Sequence, residues 1–232
     1  MEAPTILELE HVFLVSEETL SAVACFVFIW FLIKPYRATG ESRYLGLPLG
    51  FGFLGISYLL AAFTHAVFLY PVFTINSLTW FQLLARPFAF AFLTFTYFFS
   101  NKPSTKRPLW NISLSVLLVA LMSLLILFLV APQFAMSNYR FLGICVRIFN
   151  LICLLYISVH TLRSHLEAKD SKTILIPFGF IFLGIGQYSI LIWSLENGDV
   201  AFYGGLTLRW IGLALFLLTA YRSFYSKQRS SS

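Results

Sequence analysis

Seven apolar stretches follow one another along this chain, at about 13–34, 45–70, 78–100, 109–131, 139–162, 173–195 and 203–222. Each approaches or exceeds the ~20 residues that carry an α-helix across the hydrocarbon core of a bilayer. None alternates apolar and polar positions over its length, so strands are not predicted. The segments between them are short and polar. The pattern predicts an all-α integral membrane protein of seven transmembrane helices, with residues 1–232 forming a single transmembrane domain.

Against that background the polar positions inside the spans stand out. Arg86, Arg147 and Arg209 each lie well within an apolar run. A guanidinium in hydrocarbon costs at least about 2.5 kcal/mol, so such a residue is paired or lines a polar cavity. At ~1.5 Å of helical rise per residue, Arg86, Arg147, Arg209 and Gln187 stand about 20–23 Å above the cytoplasmic helix ends, and Glu17 and Glu18 about 25 Å. His65 lies slightly higher. Together with Gln82, and with Tyr188 and Trp210 as walls, these residues define a candidate ligand-binding layer in the outer half of the bundle. Three arginines face two glutamates there, a shortfall to be met by water, carbonyls or a bound anion. A guanidinium matches carboxylate and phosphate oxygens in a bidentate fork, which points to an anionic or amphiphilic ligand or a lipid.

The chain also repeats itself. Pro48–Ile56 and Pro177–Ile185 agree at seven of nine positions, an offset of 129 from Pro48 to Pro177. The same offset pairs Lys34 with Arg163, Glu41 with Asp170, Arg43 with Lys172 and Glu18 with Arg147. With a gap in the outer loop, Arg86 falls opposite Arg209 and Thr96 opposite Thr219. The expected organisation is 3+1+3, with a first repeat over about 12–100, a connector helix at 109–131 and a second repeat over about 139–225. One connector helix leaves the two copies parallel. The Glu18/Arg147 correspondence predicts an ion pair between the copies.

The chain is 59% hydrophobic and 11% charged, with a mean hydropathy of +0.81. Its net charge of +6 is a matter of topology. One set of connections, with the C-terminal tail, holds Lys34, Arg37, Arg43, Lys102, Lys106, Arg107, Arg163, Lys169, Lys172, Arg222, Lys227 and Arg229. The opposite connections, 71–77, 132–138 and 196–202, hold no Lys or Arg. Basic loops stay in the cytoplasm, so the N-terminus is expected outside and the C-terminus inside, in the plasma membrane. No polar basic face for nucleic acid is present. The first ten residues lack a basic n-region, so no cleavable signal peptide is predicted.

Catalysis and cofactors find no support. HExxH, GxSxG and Gly-rich phosphate loops are missing from the sequence. His65 and His160 fall near opposite membrane faces, too far apart for one haem. His11 and His65 are expected to approach each other outside. Cys25, Cys145 and Cys153 read as small core residues. Trp80 and Trp193 near one boundary and Trp110 near the other read as interfacial anchors. No metal or cofactor is implied.

In layout the chain resembles the seven-helix membrane input modules of prokaryotic sensor kinases. It shares with microbial rhodopsins seven helices and an external N-terminus, and with SWEET-type sugar transporters the parallel triple-helix duplication. Residues 203–221 hold no Lys, where a rhodopsin carries its retinal Schiff base. The resemblance implies a non-enzymatic receptor or sensor module, working with the bilayer and a cytoplasmic or membrane partner. A transporter of a small anionic or polar solute, and a structural or assembly subunit of a membrane complex, are the alternatives.

Overall fold

The computed structural model describes residues 6–39, 45–69, 75–100, 107–130, 139–168, 174–196 and 198–229. Arg43, Lys102, Lys106, Lys169 and Lys172, which carry much of the topology signal, lie outside the described residues, as does the Glu41/Asp170 pair. The side chains of Trp80 and Arg140 also lie outside them.

The described residues form seven helices and no strand: α1 (Ile6–Thr39), α2 (Gly46–Leu69), α3 (Ile75–Ser100), α4 (Arg107–Val130), α5 (Tyr139–Ala168), α6 (Leu175–Glu196) and α7 (Asp199–Arg229). Five of them, α1, α2, α5, α6 and α7, contain segments long and apolar enough to cross a membrane. The helices overrun the apolar stretches because helix formation does not stop where hydrocarbon would. At the polar end of α5, Arg163 and Glu167 are paired one turn apart at 2.8 Å, which supports the extra turn. In α3, Pro87 sits inside the helix. It withholds the amide that would bond the Leu83 carbonyl.

Packing follows a closed circuit. α1 packs on α2, α2 on α3, α3 on α5, α5 on α6, α6 on α7, and α7 returns to α1. The fourth helix packs on α3 from outside this ring. The six ring helices thus fall into two triads, α1–α2–α3 and α5–α6–α7, which meet at two seams, α3/α5 and α7/α1.

Small residues allow the close contacts. A Cβ added at Gly186 would lie 2.9 Å from the Gly205 carbonyl oxygen, and one at Gly212 2.9 Å from that of Gly179. The backbones of α6 and α7 touch there, which is how helices associate when surrounding lipid is as apolar as their own side chains. Each triad also seats a large residue on a glycine of its middle helix. A Cβ on Gly50 would meet Leu93 at 2.6 Å, and one on Gly179 would meet Phe216 at 2.6 Å.

The core runs from Cys25, Leu54 and Tyr58 down to Phe51, Phe180 and Phe216. Phe216 stands edge-on to Phe51 and Phe180, with ring centroids 5.4 and 4.7 Å apart. These rings and Tyr97 wall an apolar cavity of about 200 Å³ between the triads. Trp110 is buried beside Phe99 and packs α4 against α3, where an anchor would face outward. Cys25 and Cys153 are core residues, whereas Cys145 faces outward.

Candidate functional site

The polar layer divides into two unlike halves, one at each seam between the triads.

At the α7/α1 seam the charges close on each other. Glu17 and Glu18 occupy successive positions of α1, and both carboxylates turn toward Arg209 of α7. The Arg209 Nε donates to Glu17 Oε1 at 3.2 Å, and its Nη2 makes a very short contact to Glu17 Oε2, completing a fork. Arg209 Nη1 donates to Glu18 Oε1 at 3.1 Å. All three residues are buried, Arg209 at 2% exposure. Ser21 adds a donor to Glu17 Oε1 at 3.4 Å. The Tyr58 ring forms the floor, 4.5 Å from the Arg209 guanidinium. Two carboxylates and one guanidinium leave this half with one negative charge. Arg86 of α3 partly offsets it, with Nη2 3.9 Å from Glu18 Oε1.

The α3/α5 seam is open. Gln82, Leu83, Arg86, Val146, Arg147, Asn150 and Gln187 line a cavity of about 50 Å³. Two of these walls carry guanidiniums and none carries a carboxylate. The protein anchors both cations from behind. Arg86 Nε donates to Ser57 Oγ at 2.9 Å, and Ser57 Oγ donates onward to the Gln82 carbonyl at 3.3 Å. Arg147 Nη1 donates to the Ile190 carbonyl of α6 at 3.1 Å. The side-chain oxygen of Asn150, a residue 1% exposed, has no hydrogen-bond donor among the described residues. Buried polar atoms are bonded in the great majority of cases, and this acceptor oxygen calls for a donor such as water.

The structure therefore sorts the predicted residues. Arg86, Arg147, Gln82 and Gln187 converge on one cavity. Glu17, Glu18 and Arg209 form the neighbouring ion-pair cluster. The partner of Glu18 is Arg209, with Arg86 second, in place of the expected Arg147, which sits on the other seam and reaches α6. Trp210 borders a separate cavity of about 350 Å³ on the α1/α7 side, which Glu17 and Tyr203 also line. Tyr188 is exposed on α6, turned away by the one-residue step from buried Gln187. His65 stands about 10 Å along α2 from Tyr58, with its ring 6.2 Å from that of His11.

The chain matches no protein-family model, no curated protein and no solved structure. Its chemistry rests on its own geometry. Asn150, Ser57 and Tyr58 are the residues that sequence reading passed over. A signal for two of them was present, because the offset of 129 that pairs Glu18 with Arg147 also pairs Ser21 with Asn150 and Tyr58 with Gln187.

Proposed function

We propose that this protein is a non-enzymatic seven-helix membrane receptor-like module that binds an anionic or amphiphilic ligand, free or lipid-borne, between Arg86 and Arg147. The supporting observation is the α3/α5 cavity, which two guanidiniums line with no carboxylate among the described walls. Arg86 and Arg147 are both half-buried, and two cations beside one small cavity favour water or an anion between them. In this reading α3 and α4 also cross the membrane, the N-terminus is outside and the basic loops are cytoplasmic, in the plasma membrane. Binding is read out through those loops by a cytoplasmic or membrane partner.

The two triads support the 3+1+3 duplication. Exchanging α1, α2 and α3 for α5, α6 and α7 turns the α3/α5 seam into the α7/α1 seam, and these are the two seams the ring uses. That exchange is also what a transporter needs if its halves rock around a central site. The transporter reading has less support, because the space beyond the polar layer is walled by Phe51, Phe180 and Phe216 and offers a polar solute no path.

Native mass spectrometry after gentle extraction from the protein's own membrane tests the proposal. A discrete adduct on the wild-type chain, lost in Arg147→Gln and retained in Arg163→Gln, is the expected result. Solute flux into liposomes with no partner added would instead establish the transporter.

A further inference from the structure

The apolar cavity between the triads has walls that correspond in pairs. At the offset of 129, Leu47 of α2 corresponds to Ile176 of α6 and Phe51 to Phe180. With the loop gap, Tyr97 of α3 corresponds to Ala220 of α7. All of these line the same space of about 200 Å³. The first two pairs match in bulk, and the third does not. Where α3 brings a phenol ring, α7 brings a methyl group, so α7 leaves open the volume that its counterpart fills. Phe28 and Phe31 of α1 wall a further side and are half-buried, so the cavity reaches the surface of the bundle there.

The walls decide what can enter. Among the described wall residues none is charged and two carry hydroxyls, Tyr97 and Thr219. The Thr219 hydroxyl donates to the Leu215 carbonyl at 2.8 Å, one turn back in its own helix. The Tyr97 phenol is the wall donor left for a ligand. A charged or multiply polar solute would give up its water here with little in return. Rings make up much of the remaining wall. Tyr97 stands edge-on to Phe180, Phe180 to Phe216 and Phe28 to Phe51, with centroids 5.6, 4.7 and 4.6 Å apart. Edge-to-face rings attract through their quadrupoles, so a ring gains contacts there that a flexible chain does not. An apolar cavity of roughly 150 Å³ stays dry and takes benzene. At about 200 Å³ this one takes a ring with a second fused ring or a short substituent.

We propose that this cavity is a second binding site, separate from the α3/α5 cavity, for a small membrane-soluble ring compound with one acceptor oxygen. The Tyr97 hydroxyl donates to that oxygen from α3, and the ring fills the space beside Ala220 of α7. The occupant packs against both triads at once, and because voids in a packed interior cost stability, filling this one stabilises the bundle.

A thermal-unfolding titration of the purified protein in maltoside micelles tests this. The probes are 1-indanone, its hydrocarbon analogue indane, and the open-chain ketone nonan-2-one. 1-Indanone should raise the unfolding midpoint saturably. Indane should bind roughly threefold to tenfold more weakly, for want of the hydrogen bond, and nonan-2-one should give no saturable shift. Tyr97→Phe, which removes a single oxygen, should erase the advantage of 1-indanone over indane. Ala220→Leu fills the cavity, so it should unfold at a higher temperature than wild type without any probe and respond to none. Should that variant fail to fold, Ala220→Val decides in its place by a weakened response. Arg147→Gln should respond as wild type does, which keeps this site apart from the anion cavity. Nonan-2-one acting as well as 1-indanone overturns the ring assignment and makes the cavity a slot for an acyl chain. Equal affinity for 1-indanone and indane in wild type overturns the role of Tyr97. Equal shifts in wild type and the Ala220 variants, or no shift with any probe, overturn the site.

Discussion

Replacing Arg209 with glutamine removes the only guanidinium among the described residues that both Glu17 and Glu18 bond at 3.2 Å or less. Both carboxylates are about 5% exposed, and Arg86 remains 3.9 Å from Glu18 alone. Breaking a buried pair by deleting one partner costs about 3–5 kcal/mol, because the surviving charge stays buried. Here two charges survive side by side, so the loss should lie at the upper end of that range, offset only in part by Arg86. Glu18→Gln should cost less, since Arg209 keeps its fork to Glu17. The triple variant Glu17→Gln/Glu18→Gln/Arg209→Met removes every charge at once and should recover most of the loss, since apolar replacement of a whole buried network is often neutral or stabilising. Reversible unfolding in mixed micelles, titrated with a denaturing detergent, measures all three. A loss under about 1 kcal/mol for Arg209→Gln, or a triple variant as damaged as the single one, would refute the reasoning that this cluster is a desolvated network.

Three further outcomes are expected. The double reversal Glu18→Arg/Arg147→Glu should unfold as readily as Glu18→Arg alone, because the new arginine would join Arg209 and Arg86; rescue in the same unfolding assay would restore the direct Glu18/Arg147 pairing. Gly186→Ala should destabilise by about 1–3 kcal/mol by forcing α6 from the Gly205 carbonyl, whereas Gly143→Ala, with nothing within 4 Å of the added atom, should be neutral or slightly stabilising. Arg163→Gln should leave the unfolding midpoint unmoved, because its pairing with Glu167 is exposed to solvent.

The helices were legible because an apolar run of bilayer length has few other uses. Their ends were less so: α1 begins at Ile6 and α7 extends to Arg229, since hydropathy reports depth in hydrocarbon and not the last hydrogen bond. The layer of arginines and glutamates was legible by helical rise. Which arginine meets which glutamate was not, because that depends on rotation about each helix axis. A helix apolar on all sides, such as α2 or α6, offers no hydrophobic face from which to read its phase. Glu18 was therefore assigned to Arg147 by the repeat, whereas the ring places α1 beside α7. The burial of Trp110 was hidden for a related reason: an aromatic residue near a helix end can face outward or pack inward, and only the position of α4 against α3 decides. Asn150 escaped notice as one polar residue among apolar ones, although its repeat partner Ser21 touches Glu17.

The central proposal is that Arg86 and Arg147 hold an anionic ligand at the α3/α5 cavity. Cryo-electron microscopy of the protein purified from its native membrane without added salt of strong anions tests it most directly. The account predicts density within hydrogen-bonding distance of both guanidiniums, absent in Arg147→Gln. A cavity that is filled by the protein's own side chains would contradict it.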